Sequence, residues 1–230
     1  MKNEQKIDAR LLSAASFVRE GAIVADIGSD HAYLPIYLVQ NKRAVRAVAA
    51  DINAGPIENA RLNVEAAGLS RLISLELCDG LHGIEKYSPT DIIICGMGGE
   101  LIERIITEAP YAKNGGIRLI LQPMSKQEIL RAYLLREGYN IIDEKLSKDD
   151  GRTYVCICAE YDGAVREYSD AELLLGRHNI ERREPLFYDL LESKIAATKK
   201  RINGMKTAGR KTPEDDALLA VLESLKEEKQ

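Results

Sequence analysis

Residues 26–35, "DIGSDHAYLP", follow the strand-like run "AIVADIG" and lead into an apolar stretch with helical spacing. Strand, glycine turn and helix in that order form a cradle for a nucleotide, because the helix start offers unpaired backbone N–H groups. A dinucleotide-binding turn needs further glycines, and Asp30 stands where the next one belongs. A carboxylate at Asp30 opposes a pyrophosphate. S-adenosylmethionine contains no phosphate and carries two cationic groups, a sulfonium and an ammonium. Asp26 and Asp30 suit that end of the ligand, while amides of the turn and helix start suit its carboxylate. Asp26, Gly28, Ser29, Asp30 and His31 thus select a methyl donor over a dinucleotide.

Two more aspartates close strand-like runs. Asp51, followed by Ile52 and Asn53, is placed to accept hydrogen bonds from ribose hydroxyls, and Asp79, followed by Gly80 and Leu81, suits an adenine amino group. Singly, each reads equally well as a turn or helix-capping residue. Their joint placement with Asp26 on one sheet edge favours a ligand. The fourth run ends "DIIICGMGGE", where Gly96, Gly98 and Gly99 let backbone approach a flat ring. Met97, Gly98 and Gln122 are the candidate clamp for an acceptor base, although Gln122 serves equally well as a turn cap. Asp30 or His31 orients that base or takes its proton. The catalytic candidates are therefore Asp30, His31, Met97 and Gln122. No metal is expected: there is no C-x-x-C pair and no Cys/His cluster, and four cysteines read as reduced thiols.

These residues need a frame to hold them. Strand-like runs occur at 22–26, 45–50, 72–77, 91–95, 117–121, 139–146 and 153–161, and helical spacing at 7–18, 32–40, 56–67, 81–86, 100–108 and 126–137. That alternation predicts right-handed βαβ units and a parallel sheet. Only the charged turn "SKDDGR" separates the last two runs, so they form an antiparallel hairpin. The expected fold is α/β, a seven-stranded Rossmann-like sheet of the class I methyltransferase kind over residues 1–162.

Residues 163–230 are helical throughout. "SDAE" and "TPED" read as helix starts, the second with proline at the first helical position. Tyr188, Leu191, Ile195, Thr198, Ile202 and Met205 make one apolar stripe, and Leu218, Leu222 and Leu225 another. They predict an antiparallel, coiled-coil-like helical hairpin. The net charge of −4 argues against uniform coating for nucleic acid, yet residues 194–211 hold seven basic side chains and no acidic one. Lys194, Lys199, Lys200, Arg201, Lys206, Arg210 and Lys211 form either a solvated helix face or a local strip for phosphates. No apolar run approaches the ~20 residues of a membrane span and the first ten residues are no secretory signal, so a cytoplasmic protein is expected.

In order and spacing, "ADIGSDHAYLP", "CDGL", "GMGG", "LILQP" and "KDDGRTYVCICAE" resemble the bacterial tRNA (adenine-22, N1)-methyltransferases, the TrmK family, over roughly residues 6–162. The resemblance implies a class I methyltransferase domain with a C-terminal coiled-coil-like domain. It implies methylation of N1 of adenine 22 in the tRNA D-arm, with S-adenosylmethionine as donor and tRNA as partner. It also maps the donor site onto Asp26, Gly28, Ser29, Asp30, His31, Asp51, Asp79 and the 96–99 turn. Neither an obligate protein partner nor a membrane is implied.

Overall fold

The structure, a computed structural model, describes residues 7–227. Its strands are β1 (Ala22–Ile27), β2 (Ala44–Asp51), β3 (Ile73–Leu77), β4 (Asp91–Gly98), β5 (Arg118–Ser125), β6 (Tyr139–Asp149) and β7 (Arg152–Tyr161). They form one sheet in the order β3-β2-β1-β4-β5-β7-β6. The first five are parallel, and β7 runs antiparallel to both β5 and β6. Strands buried on both faces read as continuous apolar runs. The isoleucines of β4, Ile92, Ile93 and Ile94, are accordingly all fully buried.

Helices α1 (Ala9–Phe17), α2 (Tyr33–Gln40) and α3 (Ala54–Ala66) share one apolar core with the sheet, in which Phe17, Leu38 and Val64 join Val24, Ile93 and Ile120. Helices α4 (Gly99–Thr107) and α5 (Gln127–Arg136) pack together and against β4, β5 and β6. Strand order reverses between β1 and β4, since the chain returns from edge strand β3 to pair β4 beside β1. Open sheets of this kind bind ligands at the carboxyl ends of the strands flanking that reversal. Asp26 lies there, in register with Ala49 of β2 and Ile93 of β4.

Two expectations change in detail. The segment at 81–86 forms only a single 3-10 turn, Ile84–Tyr87, because Gly80 and Gly83 both take positive φ and stop a helix from starting earlier. Strand β4 continues through an irregularity at Cys95/Met97 to Gly98, so the glycine run belongs to the strand end and not to a free loop.

Contacts divide the chain into a unit through Arg166 and a second unit from Glu167. The second contains α6 (Asp170–Leu175), α7 (Arg177–Arg182), α8 (Pro185–Thr207) and α9 (Pro213–Glu227). Ser169 caps α6 in a complete capping box with Glu172. Helices α8 and α9 form the expected antiparallel hairpin: Lys226 pairs with Glu192 at one end and Lys206 with Asp216 at the other. Leu191, Ile195, Thr198, Ile202 and Leu222 are buried in it, together with Phe187 and Leu190, which the stripe does not include.

Candidate active site

A cavity of about 620 Å³ opens among the turn after β1, residues Cys95 and Gly96 of β4, Met124 of β5, the start of α1 and the β6–β7 hairpin. The turn itself is held by backbone. Gly28 sits at φ +78°, and the N–H groups of Gly28 and Ser29 both donate to Ala50 O, at 2.8 and 3.0 Å. These two amides are therefore committed to β2. A Cβ on Gly28 would overlap Met97 Cε, so the Met97 side chain lies directly over the glycine. Ala32 then takes the left-handed region at φ +54° immediately before α2. Such a conformation costs about 1–3 kcal/mol and persists where its surroundings demand it.

Asp26, Ser29, Asp30 and His31 line the cavity as the sequence suggests. Asp26 is buried, and desolvation pushes its carboxyl up to about 6, opposed only by a hydrogen bond with Ser29. A buried carboxylate eased by one hydroxyl gains from a cationic ligand. Asp30 lies 3.2 Å from His31 Nε2, and the His31 ring stacks on Tyr33 with centroids 4.9 Å apart. Five aspartates, Asp8, Asp26, Asp30, Asp149 and Asp150, line the cavity against one arginine, Arg10. This lining fits a sulfonium nucleoside and opposes a pyrophosphate.

Gly28 and Gly96 line it too, whereas the remaining expected residues lie outside the lining. Asp51 and Asp79 stand beyond the ends of β2 and β3, with Ile52, Asn53, Gly80 and Leu81. Asp51 Oδ1 accepts from Asn53 N at 2.7 Å, the turn-capping role, which leaves Oδ2 open. Asp79 holds Arg104 with both oxygens, at 3.1 and 3.3 Å, and the guanidinium keeps its carboxyl below the usual range. An adenine amino group at Asp79 must share or displace Arg104.

For Gln122 two readings stand, pairing with a base or capping a turn, and its contacts bear on the second. It is buried, and its Oε1 accepts from Arg10 Nη1 at 2.9 Å and from Gly96 N at 3.1 Å, while Nε2 donates to Pro123 O at 3.3 Å. These contacts tie Gln122 to the bend at Gly96, the turn-fixing reading. Met97 likewise packs on Gly28, and neither it nor Gly98 lines the cavity. Sequence reasoning missed Arg10, Cys95, Met124, Asp149, Asp150 and Tyr154 in the lining. The charged turn "SKDDGR" was the available signal for Asp149 and Asp150.

The basic strip is divided. Lys199 pairs with Glu223, Arg201 with Asp215 and Lys206 with Asp216, all across the hairpin to α9. Among the described residues Lys200, Arg210 and Lys211 make no ion pair, and Lys200 and Arg210 border a shallow groove on α8. Among the described residues no group of three His, Cys, Asp or Glu could hold a metal, and no helix is long and apolar enough to cross a membrane.

A sheet of order 3-2-1-4-5-7-6 with strand 7 reversed, carrying an acidic glycine turn at its point of reversal, defines a class I methyltransferase. A family model for a methyltransferase domain matches residues 7–157. The chain is 41% identical over 174 residues to the tRNA (adenine(22)-N(1))-methyltransferase of Bacillus subtilis, covering 76% of this chain and 73% of that one. The crystal structure of the B. subtilis M1A22 tRNA methyltransferase TrmK superposes with a TM-score of 0.81 at 35% identity, over 97% of this chain and 99% of that one. Sp1610 of Streptococcus pneumoniae, solved in complex with S-adenosyl-L-methionine, superposes with a TM-score of 0.78 at 33% identity, over 96% and 99%. The chain belongs to the tRNA (adenine(22)-N1)-methyltransferase family, TrmK, and methylates N1 of adenine 22 in tRNA with S-adenosylmethionine as donor.

Proposed function

We propose that the acid-lined cavity is where donor and acceptor base meet, that the ends of β2 and β3 hold the donor's nucleoside, and that the second unit docks tRNA in the cytoplasm. One observation carries the first part: the buried, uncompensated Asp26 carboxylate in a cavity lined by four further aspartates. When bound, the donor supplies a methyl group activated by a sulfonium. Asp26 and Asp30 hold its cationic end. The amides of Asp30, His31 and Ala32 have no intramolecular partner among the described residues and are the turn and helix-start groups left to receive its carboxylate. Adenine N1 presents an in-plane lone pair, so attack requires no prior loss of a proton and no strong base from the protein. The chain's work is positioning, which supplies on the order of 7–11 kcal/mol, on a base drawn out of its helix. Gln122 and Met97 serve by fixing Gly96 and Gly28.

Asp51→Ala is expected to weaken donor binding by about 1.5–3 kcal/mol, the range for a hydrogen bond to a charged group. Asp79→Ala has a smaller effect, because its carboxylate is exposed and already shared with Arg104. Calorimetry with S-adenosylmethionine checks both. Unchanged affinity in the two variants contradicts a nucleoside site on this edge.

For the second unit, Lys194, Lys199, Lys200, Arg201, Lys206, Arg210 and Lys211 are read as the phosphate strip, with Lys200, Arg210 and Lys211 touching phosphate directly because they have no ion pair to break. Replacing Lys200 and Arg210 by alanine should weaken tRNA binding. It should also flatten the log–log salt dependence by about 0.7–0.9 for each phosphate no longer neutralised. Donor affinity stays unchanged, since no residue of that strip lines the donor cavity. A salt slope equal to that of the unaltered protein assigns the strip to solubility and hairpin pairing instead.

A further inference from the structure

The "KDDGRTY" hairpin remains without a role, although it reaches the cavity. Because β7 is reversed, β6 points the same way as β5, and the β6–β7 turn therefore lies at the carboxyl edge of the sheet. In strand order it lies beyond β4 and β5, on the opposite side of β1 from Asp51 and Asp79. The hairpin therefore stands on the side of the site away from the strand ends read as holding the donor's nucleoside.

Asp149 and Tyr154 both line the cavity. They share one face of the hairpin: Tyr154 is directly opposite Ser147, two residues before Asp149. Both are half-buried, and neither side chain makes a hydrogen bond or ion pair among the described residues. Arg152, the ladder neighbour directly across from Asp149, leaves the carboxylate unpaired. The turn between them has Asp150 at φ +45° and Gly151 at φ +75°, the two-residue geometry that matches strand twist. An unpaired carboxylate and an aromatic ring, held on one face of this hairpin at the cavity, suit a purine that donates from an exocyclic amine.

We propose that Asp149 accepts a hydrogen bond from the 6-amino group of the target adenine while Tyr154 flanks the ring, which makes this hairpin the element that tells adenine from other purines. The inference rests on the cavity being the active site. The N1 lone pair forms the new N–CH3 bond as the electrons of the C–S bond pass to sulfur, leaving a neutral thioether. Positive charge appears on the adenine and spreads over N1, C6 and the 6-amino nitrogen. A carboxylate at that amine strengthens its hydrogen bond as the charge develops, the condition for stabilising the transition state more than the bound substrate. A base with a 6-carbonyl instead meets the carboxylate with an acceptor and is repelled. The positive charge that left sulfur stays on the methylated base, so the step balances with no proton transfer.

The test compares the full-length protein with Asp149→Ala on two tRNAs, one with adenine at position 22 and one with purine, which lacks the 6-amino group, at the same position. On adenine, kcat/KM should fall by about 10–150-fold, the equivalent of one hydrogen bond to a charged group. On the purine-containing tRNA the variant and the unaltered enzyme should have equal rates, since that base has no amine to donate. Calorimetric affinity for S-adenosylmethionine should stay within about two-fold, the tolerance set by ordinary surface substitutions. Asp149→Asn, which keeps the shape and removes the charge, should lose part of the rate on adenine and none on purine. Equal losses on both tRNAs, a parallel loss of donor affinity, or full activity on adenine would each overturn the proposal. Failure of the unaltered enzyme to methylate the adenine tRNA would instead count against the reading of the cavity.

Discussion

Gly28→Val should lower donor affinity about 100-fold or more while leaving the sheet folded, a loss on the order of 3 kcal/mol. Two separate effects add at this residue. Its φ of +78° lies in the left-handed region, where a β-branched residue is a genuine outlier. Any Cβ also meets Met97 Cε, so the methionine must move. The turn cannot shift to relieve the first effect without giving up the two hydrogen bonds from Gly28 and Ser29 to Ala50 O. Gly28→Ala combined with Met97→Ala separates the two: it removes the collision and keeps the backbone strain, so affinity should recover only in part. Isothermal calorimetry with S-adenosylmethionine reads the effect, and far-UV circular dichroism confirms that the sheet persists. Donor affinity unchanged in Gly28→Val would place the donor away from this turn.

The second large effect concerns stability. Arg131 of α5 and Glu144 of β6 are completely buried, with Arg131 Nε donating to Glu144 Oε1 at 2.7 Å. Removing one member of a buried pair strands the other charge and typically costs about 3–5 kcal/mol, whereas replacing both by apolar residues of similar size is often neutral. Arg131→Met should therefore destabilise the first unit by about that amount. Arg131→Met with Glu144→Leu should regain most of it. Urea unfolding at constant m-value measures both. A single variant as stable as the unaltered protein would show that the pair contributes nothing.

Much of this frame was legible because parallel strands buried on both faces leave continuous apolar runs. "DIIIC" and "LILQ" announce β4 and β5 for that reason alone. The turn "DIGSDH" was legible through a mismatch, since a carboxylate stands where phosphate chemistry needs glycine. Gln122 was legible only as a choice between two roles. Its role depends on Arg10, 112 residues away, and on burial that no local pattern reveals. Asp79 looked free because its partner Arg104 comes from α4, which packs beside it only in the folded chain. The basic strip of α8 looked uniform because the acids that neutralise part of it belong to α9. Asp149 and Tyr154 escaped notice for a topological reason: only the reversal of β7 brings their hairpin to the ligand edge.

The most direct measurement incubates the full-length protein with methyl-labelled S-adenosylmethionine and unmodified tRNA carrying adenine at position 22, then maps the labelled nucleoside along the tRNA. The result predicted is 1-methyladenosine at position 22 alone, approaching one methyl group per tRNA, and no label in the same tRNA with guanine at that position. Label at another nucleotide, label on another atom of adenine 22, or no transfer despite tight donor binding would contradict the account.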